Sequence, residues 1–516
     1  MTNVIAKSRG SIGSEQAALL EINRPQYRPP VPERDVDAKA RSVSRRGQPS
    51  SKRRYPLTEL GNAERLVARF GEDIRYEHAQ RDWYVWDGKR WIVDKVGALK
   101  RHMATVVREM LRQAADIKDD EMRRAFCSWQ RQSESEHAIR ASIALAQSLV
   151  PILIEEFNQN LYLLNLNNGV LDLKTLEFRE HRRDDRITKI VPVDYDPAAQ
   201  CPRWTQFLRE VMTGENEATI PFLQRAVGYS LTGFTGEHCL FLLHGSGRNG
   251  KSVFIKTVQH VLGDYAMQAD WQSFSMRRNG AGMEIREDIA RLAGSRFVAA
   301  IESAQHVRLA ENVIKAVTGG DRITARYLYK GSFEFEPQFK LWLATNHLPK
   351  IVGTDEAIWS RIRLIPFTVT IPSERRDKEL SEKLQAEASG ILNWALEGLK
   401  MYWRDGLPVP QTISSAVANY RQESDVTNRF LDSCCVGGEK AKVGAAELYA
   451  AYKHWTDEAG ENYQMSEKEF KNTLLSRGVR QERKRAGLFW IGLALAEQVK
   501  LGAARMQPEP EEELLF

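Results

Sequence analysis

Cysteine is scarce in this chain: five residues in 516, scattered at Cys127, Cys201, Cys239, Cys434 and Cys435. An odd, dispersed set excludes a disulfide framework. Neighbouring Cys434 and Cys435, with no His pair at ligand spacing, do not read as a metal knuckle. Long apolar runs are missing too. The longest stretch, residues 141–154, is broken by Gln147, Ser148 and Pro151 and is too short and polar to span a bilayer. Lys7 and Arg9 near the start are not followed by an apolar segment, so no secretory leader is read there. A cytoplasmic protein with no membrane partner is expected. No repeat at solenoid periods is visible.

What remains is ordinary globular composition, 42% hydrophobic and 28% charged, in a length that suits roughly three domains. The net charge of +6 is unevenly placed. Residues 1–54 hold 12 Lys/Arg against 5 Asp/Glu, which leaves the rest of the chain at −1. That Pro-, Ser-, Arg- and Gln-rich arm lacks an apolar period and reads as disordered, either solvated or bound to a phosphate backbone. Folded sequence begins near Tyr55. The run Trp83-Tyr-Val-Trp86-Asp87-Gly88-Lys-Arg-Trp91 predicts a hairpin closed by a two-residue Asp-Gly turn, its aromatics packed in a core. Residues 96–149 read as helical, residues 171–178 as a second hairpin, and residues 204–231 as helical again.

The middle third alternates helical stretches with runs that are apolar at every position: Leu240–Leu243, Phe297–Ile301 and Leu341–Leu343. Such runs suit a parallel sheet buried on both faces, so the expected class is α/β. The first run enters Gly245-Ser246-Gly247-Arg248-Asn249-Gly250-Lys251-Ser252, a full match to the phosphate-loop pattern G-x-x-x-x-G-K-[ST]. Chemistry accounts for the spacing. The glycines let backbone N–H groups close round a phosphate, and the following helix N-terminus adds partial positive charge. Lys251 is positioned for the β- and γ-phosphates of ATP and the Ser252 hydroxyl for Mg²⁺.

The second run ends in Glu302, a carboxylate suited to ordering the water ligands of Mg²⁺, to polarising an attacking water, or to both. The third ends in Thr345-Asn346, and an Asn beside the nucleotide is suited to holding the attacking water or the γ-phosphate.

With these three elements in order, the sequence resembles the superfamily 3 helicases, and within them the phage/plasmid primase-helicase family that includes the poxvirus primase-helicase. Gly228-Tyr-Ser-Leu-Thr-Gly233 ahead of the phosphate strand is similar to that family. So are Val317-Thr-Gly-Gly-Asp321-Arg-Ile-Thr-Ala-Arg326-Tyr327-Leu-Tyr-Lys330, Asn346-His-Leu-Pro349 and Trp359-Ser-Arg361-Ile-Arg363. The resemblance runs from about residue 62 to about residue 495.

It implies an AAA+-type P-loop ATPase core over residues 216–404. A mixed α/β helicase-associated domain over 55–215 would precede it, and a winged-helix-like DNA-binding domain over 405–495 and an acidic tail over 496–516 would follow. It further implies a homo-hexameric ring with ATP at subunit interfaces and Arg361 as the arginine finger, Arg363 being the alternative on the same run. Residues 323–335 would form a hairpin projecting into the pore, where Arg326, Tyr327 and Lys330 grip a single strand of DNA. Travel in the 3′-to-5′ direction is implied by the family alone.

In the C-terminal part, Ser466-Glu-Lys-Glu469 is a capping box that opens a helix. Residues 479–491 then read as strand, basic turn (Arg483, Lys484, Arg485) and strand, a wing for a second DNA contact. Asp184-Asp185 lacks the strand context of a two-metal polymerising site, so primer synthesis is expected to be absent or supplied by a separate primase. Residues 507–516 carry four glutamates and end Leu-Leu-Phe, either solubilising or docking on host replication proteins. The expected activity is ATP-dependent unwinding of forked DNA for a phage, prophage or plasmid in a bacterial host cell. The alternatives are a DNA-stimulated initiator or loader and a sequence-specific origin binder.

Overall fold

The computed structural model describes residues 55–276, 287–302, 308–326, 332–351, 356–460, 464–485 and 487–496. The basic arm, the acidic tail, Tyr327 and Lys330 lie outside the described residues. The chain starts with α1 (Glu59–Phe70), whose N-cap Thr58 accepts from the Gly61 N–H at 3.1 Å. Three antiparallel strands follow: β1 (Ile74–Glu77), β2 (Asp82–Trp86) and β3 (Trp91–Val93).

The Asp87-Gly88 turn is longer than its sequence predicts. Trp86 pairs with Trp91, leaving a four-residue loop. Asp87 sets that length, because its Oδ1 accepts from the N–H groups of both Lys89 and Arg90 at 2.8 Å.

Helices α2 (Ala98–Ala114), α3 (Asp120–Ser133) and α4 (Glu136–Ala146) come next, then β4 (Pro151–Ile152), which lies parallel to β1 in the order β3-β2-β1-β4. Leu99, Met103 and Val106 of α2 share a core with Leu66, Ile74 and Val85. A second small sheet consists of β5 (Leu163–Leu166), β6 (Gly169–Asp172) and β7 (Phe178–Arg179).

Two helices, α5 (Pro202–Val211) and α6 (Ile220–Leu231), lead into the central unit. Its elements are β8 (Leu240–His244), α7 (Lys251–Leu262), β9 (Ala266–Gln268), α8 (Glu287–Ala290), β10 (Phe297–Ile301) and α9 (Glu311–Gly319). After these come β11 (Ile323–Arg326), β12 (Ser332–Phe335), β13 (Lys340–Thr345), α10 (Glu356–Trp359) and β14 (Ile362–Pro366). Five strands make one sheet in the order β14-β8-β13-β10-β9, every neighbouring pair parallel. This is the buried parallel sheet that the apolar runs predict. Phe241, Trp342 and Phe297 stack across three adjacent strands with centroids 4.2 and 5.2 Å apart. Truncating a buried aromatic such as Trp342 costs about 3–5 kcal/mol.

Helix α11 (Leu380–Ala386) then packs on α7, α12 (Ala388–Asp405) on α6 and α13 (Gln411–Ser424) on strand β14. The last unit is α14 (Val426–Cys434), β15 (Cys435–Gly444), α15 (Ala445–Glu458), α16 (Glu467–Ser476), β16 (Arg480–Lys484) and β17 (Gly487–Leu495). Its sheet order is β15-β17-β16. The capping box at Ser466 forms as the sequence predicts, with Ser466 Oγ accepting from Glu469 N–H at 3.3 Å and the Glu469 carboxylate accepting from Ser466 N–H at 2.9 Å. Strand β15, which the sequence reading lacked, closes this sheet. No described helix is long and apolar enough to cross a membrane.

Candidate nucleotide-binding site

The loop after β8 turns sharply because Gly247 and Gly250 take φ of 97° and 89°, backbone that a side chain disfavours. A Cβ on Gly250 would also stand 2.6 Å from Val211 Cγ1 of α5. Gly245 begins the turn, and Ser246 and Arg248 are exposed on its outer side. Asn249 is 3% exposed and braces the loop from inside: its Nδ2 donates to Phe367 O at 3.0 Å, just beyond β14. Lys251 opens α7 and is 5% exposed. Its Nζ donates to Gly245 O at 2.7 Å and to Asn249 Oδ1 and Asn346 Oδ1, both at 3.0 Å. Three protons thus meet three neutral acceptors and no carboxylate. Desolvation lowers this ammonium to about 8. Burial and the nearby Lys251 charge also hold the His244 imidazole below its ordinary range. Ser252 is exposed in the first turn of α7, where helical N–H groups have no carbonyl four residues back.

Strand register supplies the other groups. Ile301 of β10 pairs with Ala344 of β13, and Thr345 with His244 of β8. Glu302, Asn346 and Gly245 therefore leave three adjacent strands at one sheet edge, with neighbouring strands about 4.8 Å apart. The Glu302 carboxylate accepts from the Thr345 hydroxyl and, at 3.3 Å, from the His347 N–H, both through Oε2. Its Oε1 is buried with no hydrogen-bond partner among the described residues. A buried carboxylate oxygen without a partner is costly in a finished core and suits a site that takes water or a metal-bound water. The donor set of Ser252 hydroxyl and Glu302 oxygen fits hydrated Mg²⁺. Thr345 is the contributor that sequence reasoning missed; Asn249 was read as a member of the loop pattern, without its bracing role. Thr345 adjoins Asn346 at a strand end, and that adjacency was the available signal.

Arg361 stands elsewhere. Its carbonyl accepts from Leu240 N–H at 2.9 Å, at the start of β8, whereas the phosphate loop follows the end of that strand. Six residue steps along the sheet separate the two levels, roughly 20 Å, well beyond the length of an arginine side chain. Its guanidinium donates to Thr318 Oγ1 at 3.2 Å and Ala357 O at 2.7 Å. Arg363 bonds Ser360 O at 2.6 Å, toward the same edge. Neither arginine meets the phosphate loop of its own chain.

Within the span expected to be a hairpin, Ile323–Arg326 pairs antiparallel with Ser332–Phe335, Arg326 opposite Ser332. Ala325 and Phe333 are buried against Ala290, which leaves Arg326 exposed on the other face. Arg483, Lys484 and Arg485 are exposed at the β16–β17 turn, about which Lys484 pairs with Gly487.

Residues 63–213 match the family described as D5 N terminal like, and residues 243–361 match a Family of unknown function (DUF5906). Over 329 residues the chain is 28% identical to "Putative helicase L207/L206" of Acanthamoeba polyphaga mimivirus, covering 59% of this chain and 34% of that protein. It is 27% identical over 266 residues to "Putative helicase 022R" of Frog virus 3 (isolate Goorha), covering 47% and 26%. To "Putative primase C962R" of African swine fever virus (isolate Tick/Malawi/Lil 20-1/1983) it is 24% identical over 330 residues, covering 58% and 34%. These matches span about a quarter to a third of the relatives' own length. Among solved structures, the apo NrS-1 C terminal region (305–718) aligns with a TM-score of 0.46 at 9% identity, covering 84% of this chain and 99% of that one. The chain contains a D5 N terminal-like region and is a relative of viral proteins that carry helicase and primase names.

Proposed function

We propose that this chain is an ATP- and Mg²⁺-dependent DNA helicase with an AAA+-type core, serving replication of a phage, prophage or plasmid. One observation carries the reading: a phosphate loop, Lys251, Asn346 and Glu302 meet at one edge of a parallel sheet, on three adjacent strand ends. In such sheets ligands bind beyond the carboxyl ends of the strands. ATP would lie in the loop with Lys251 on its phosphates, Asn346 and Glu302 orienting the attacking water. Mg²⁺, held by Ser252 and through water by Glu302, would neutralise charge between the phosphates.

The placement of Arg361 and Arg363 supports assembly. On the sheet edge away from their own loop, they reach a nucleotide only when another copy presents one, as in a hexameric ring with composite sites. The hairpin at Arg326 and the basic turn at Arg483, Lys484 and Arg485 offer two contacts for DNA. The order α14-β15-α15-α16-β16-β17 supports a winged-helix reading of the last unit. The viral relatives' helicase names favour unwinding as the output.

Strand displacement on a forked DNA tests this, with wild type beside Lys251→Ala and Arg361→Ala. Wild type releases the strand with ATP, and each variant alone does not. Mixing the two variants restores part of the hydrolysis, because an intact loop then faces an intact arginine across some interfaces. Reversing the single-stranded tail gives the direction of travel. DNA-stimulated hydrolysis without strand release, even on long tails, would replace this reading with an initiator or loader.

A further inference from the structure

We propose that Thr345 is a positioning residue for hydrolysis: its hydroxyl holds one oxygen of Glu302 so that the other is kept for the attacking water. The inference rests on the ATPase part of the helicase reading and adds to it a side chain that acts through Glu302. Strand register brings the two together. Ile301 of β10 is level with Ala344 of β13, and the Glu302 N–H donates to Ala344 O at 2.9 Å, which carries the pairing one residue beyond β10. Glu302 and Thr345 therefore end neighbouring parallel strands at one level, where side chains share a face of the sheet.

Thr345 is 1% exposed, and its branched Cβ restricts χ1, so the hydroxyl is held in place with little rotamer freedom to lose. A hydroxyl has one proton to give and lone pairs with which to receive. Two acceptors lie in reach of that proton, Glu302 Oε2 and His347 O, while the His347 N–H donates to Thr345 Oγ1 at 3.0 Å. The main chain of His347 alone would satisfy Thr345. The carboxylate takes the proton nonetheless, because charge-assisted hydrogen bonds are about twice as strong as neutral ones.

The two oxygens of Glu302 are treated unequally. Oε2 takes the Thr345 hydroxyl and, at 3.3 Å, the His347 N–H, whereas Oε1 is buried with no hydrogen-bond partner among the described residues. Two donors converging on one oxygen fix both the place of the carboxylate and its twist. They leave Oε1 as the oxygen with unused lone pairs, shielded from bulk solvent and kept for a water that arrives with the nucleotide. Without the hydroxyl, Oε2 keeps only the His347 N–H, and the carboxylate is free to turn. A misplacement of about 1 Å at such a group costs on the order of 10²-fold in rate.

The test uses the full chain, phosphate release over a range of Mg²⁺–ATP concentrations, and calorimetric titration of Mg²⁺–ADP. Thr345→Val replaces the hydroxyl with a methyl of similar size. It should lower kcat by about 10–100-fold while KM for ATP and the affinity for ADP stay within about twofold and the melting temperature stays near wild type. Thr345→Ser keeps the hydroxyl and should recover kcat to within about threefold of wild type. Combined with Glu302→Gln, Thr345→Val should lower kcat by less than about twofold further, because the group it positions is already lost. Thr345→Ala decides the matter if Thr345→Val unfolds the chain. A wild-type kcat in Thr345→Val, an equal loss in Thr345→Ser, or a full further loss on top of Glu302→Gln would overturn the inference and leave the ATPase reading intact. A raised KM with unchanged kcat would assign Thr345 to binding and overturn it too. Absence of hydrolysis by the wild type, or wild-type turnover in Glu302→Gln, would remove the ATPase reading and this inference together.

Discussion

Nucleotide binding should draw a proton from solvent at alkaline pH, because Lys251 is the buried cation of the loop and is partly deprotonated there before the ligand arrives. Its ammonium sits at about 8, brought down by desolvation and facing Gly245 O, Asn249 Oδ1 and Asn346 Oδ1 instead of a carboxylate. A triphosphate beside it favours the charged form and moves it back toward or beyond its ordinary 10.4 or so. At pH 8.5 about a quarter of free sites are protonated, so binding takes up about three-quarters of a proton; at pH 7 it takes up only about a tenth. The sign follows: affinity falls as pH rises, by about tenfold between pH 7 and pH 9. The nucleotide's terminal phosphate is already fully ionised at pH 8.5. The His244 imidazole, held below its ordinary range, is neutral there. Isothermal titration of Mg²⁺–ADP in two buffers of different ionisation enthalpy at pH 8.5 reads the uptake directly. Uptake near zero, or proton release, would refute the desolvated-lysine reading, and an affinity flat between pH 7 and 9 would refute it independently.

Two further outcomes test the chemistry and the scaffold. Glu302→Gln should keep nucleotide affinity within a few-fold and lower hydrolysis by about 10²–10³, as expected for loss of a group that positions or polarises the attacking water, in a steady-state phosphate-release assay. Equal losses of binding and turnover would point instead to a structural role for the carboxylate. Gly398→Ala places a Cβ 1.9 Å from Gln224 O, where α12 crosses α6. Overpacking of that kind costs about 1–3 kcal/mol. The melting temperature should fall by roughly 3–10 °C, and an unchanged value would show that these helices cross farther apart.

The parallel sheet was legible in the sequence because its strands are apolar at every position, a pattern with few competing solutions. The tight turn after β8 was legible because its glycine spacing puts Gly247 and Gly250 where the backbone takes positive φ. Glu302 and Asn346 were readable as polar residues ending apolar runs, and the register brings both to the loop. The closing loop of the first hairpin was misjudged because an Asp-Gly pair marks a turn but not its length, which Asp87 sets with two side-chain bonds. Thr345 was marked only by its place beside Asn346 at a strand end, and Asn249 only as a member of the loop pattern. Which hydroxyl reaches a carboxylate, and which amide braces a lysine, depends on distances that only the folded sheet fixes. Strand β15 was hidden because Gly437 and Gly438 and its charged residues give neither apolar alternation nor β-branched density.

The segment Gly228-Tyr-Ser-Leu-Thr-Gly233, read from the sequence by resemblance alone, has a physical account. Gly228 lets α6 approach α12 so closely that a Cβ would stand 2.2 Å from Leu399 N. Tyr229 lies under Lys340 Nζ at 4.8 Å, and Ser230 Oγ accepts from Trp342 Nε1 at 3.2 Å. The carbonyls of Leu231 and Thr232, at the negative end of α6, take Arg296 and Lys340. Charged residues at strand starts read as solvated ends, yet here both are buried because the helix terminus supplies their acceptors. Arg296 precedes β10 and Lys340 opens β13, and each stands six residues before the group at the other end of its strand, Glu302 or Asn346. By gripping both strands at one edge, α6 fixes their relative register, so Glu302 and Asn346 emerge level beside Lys251 at the other.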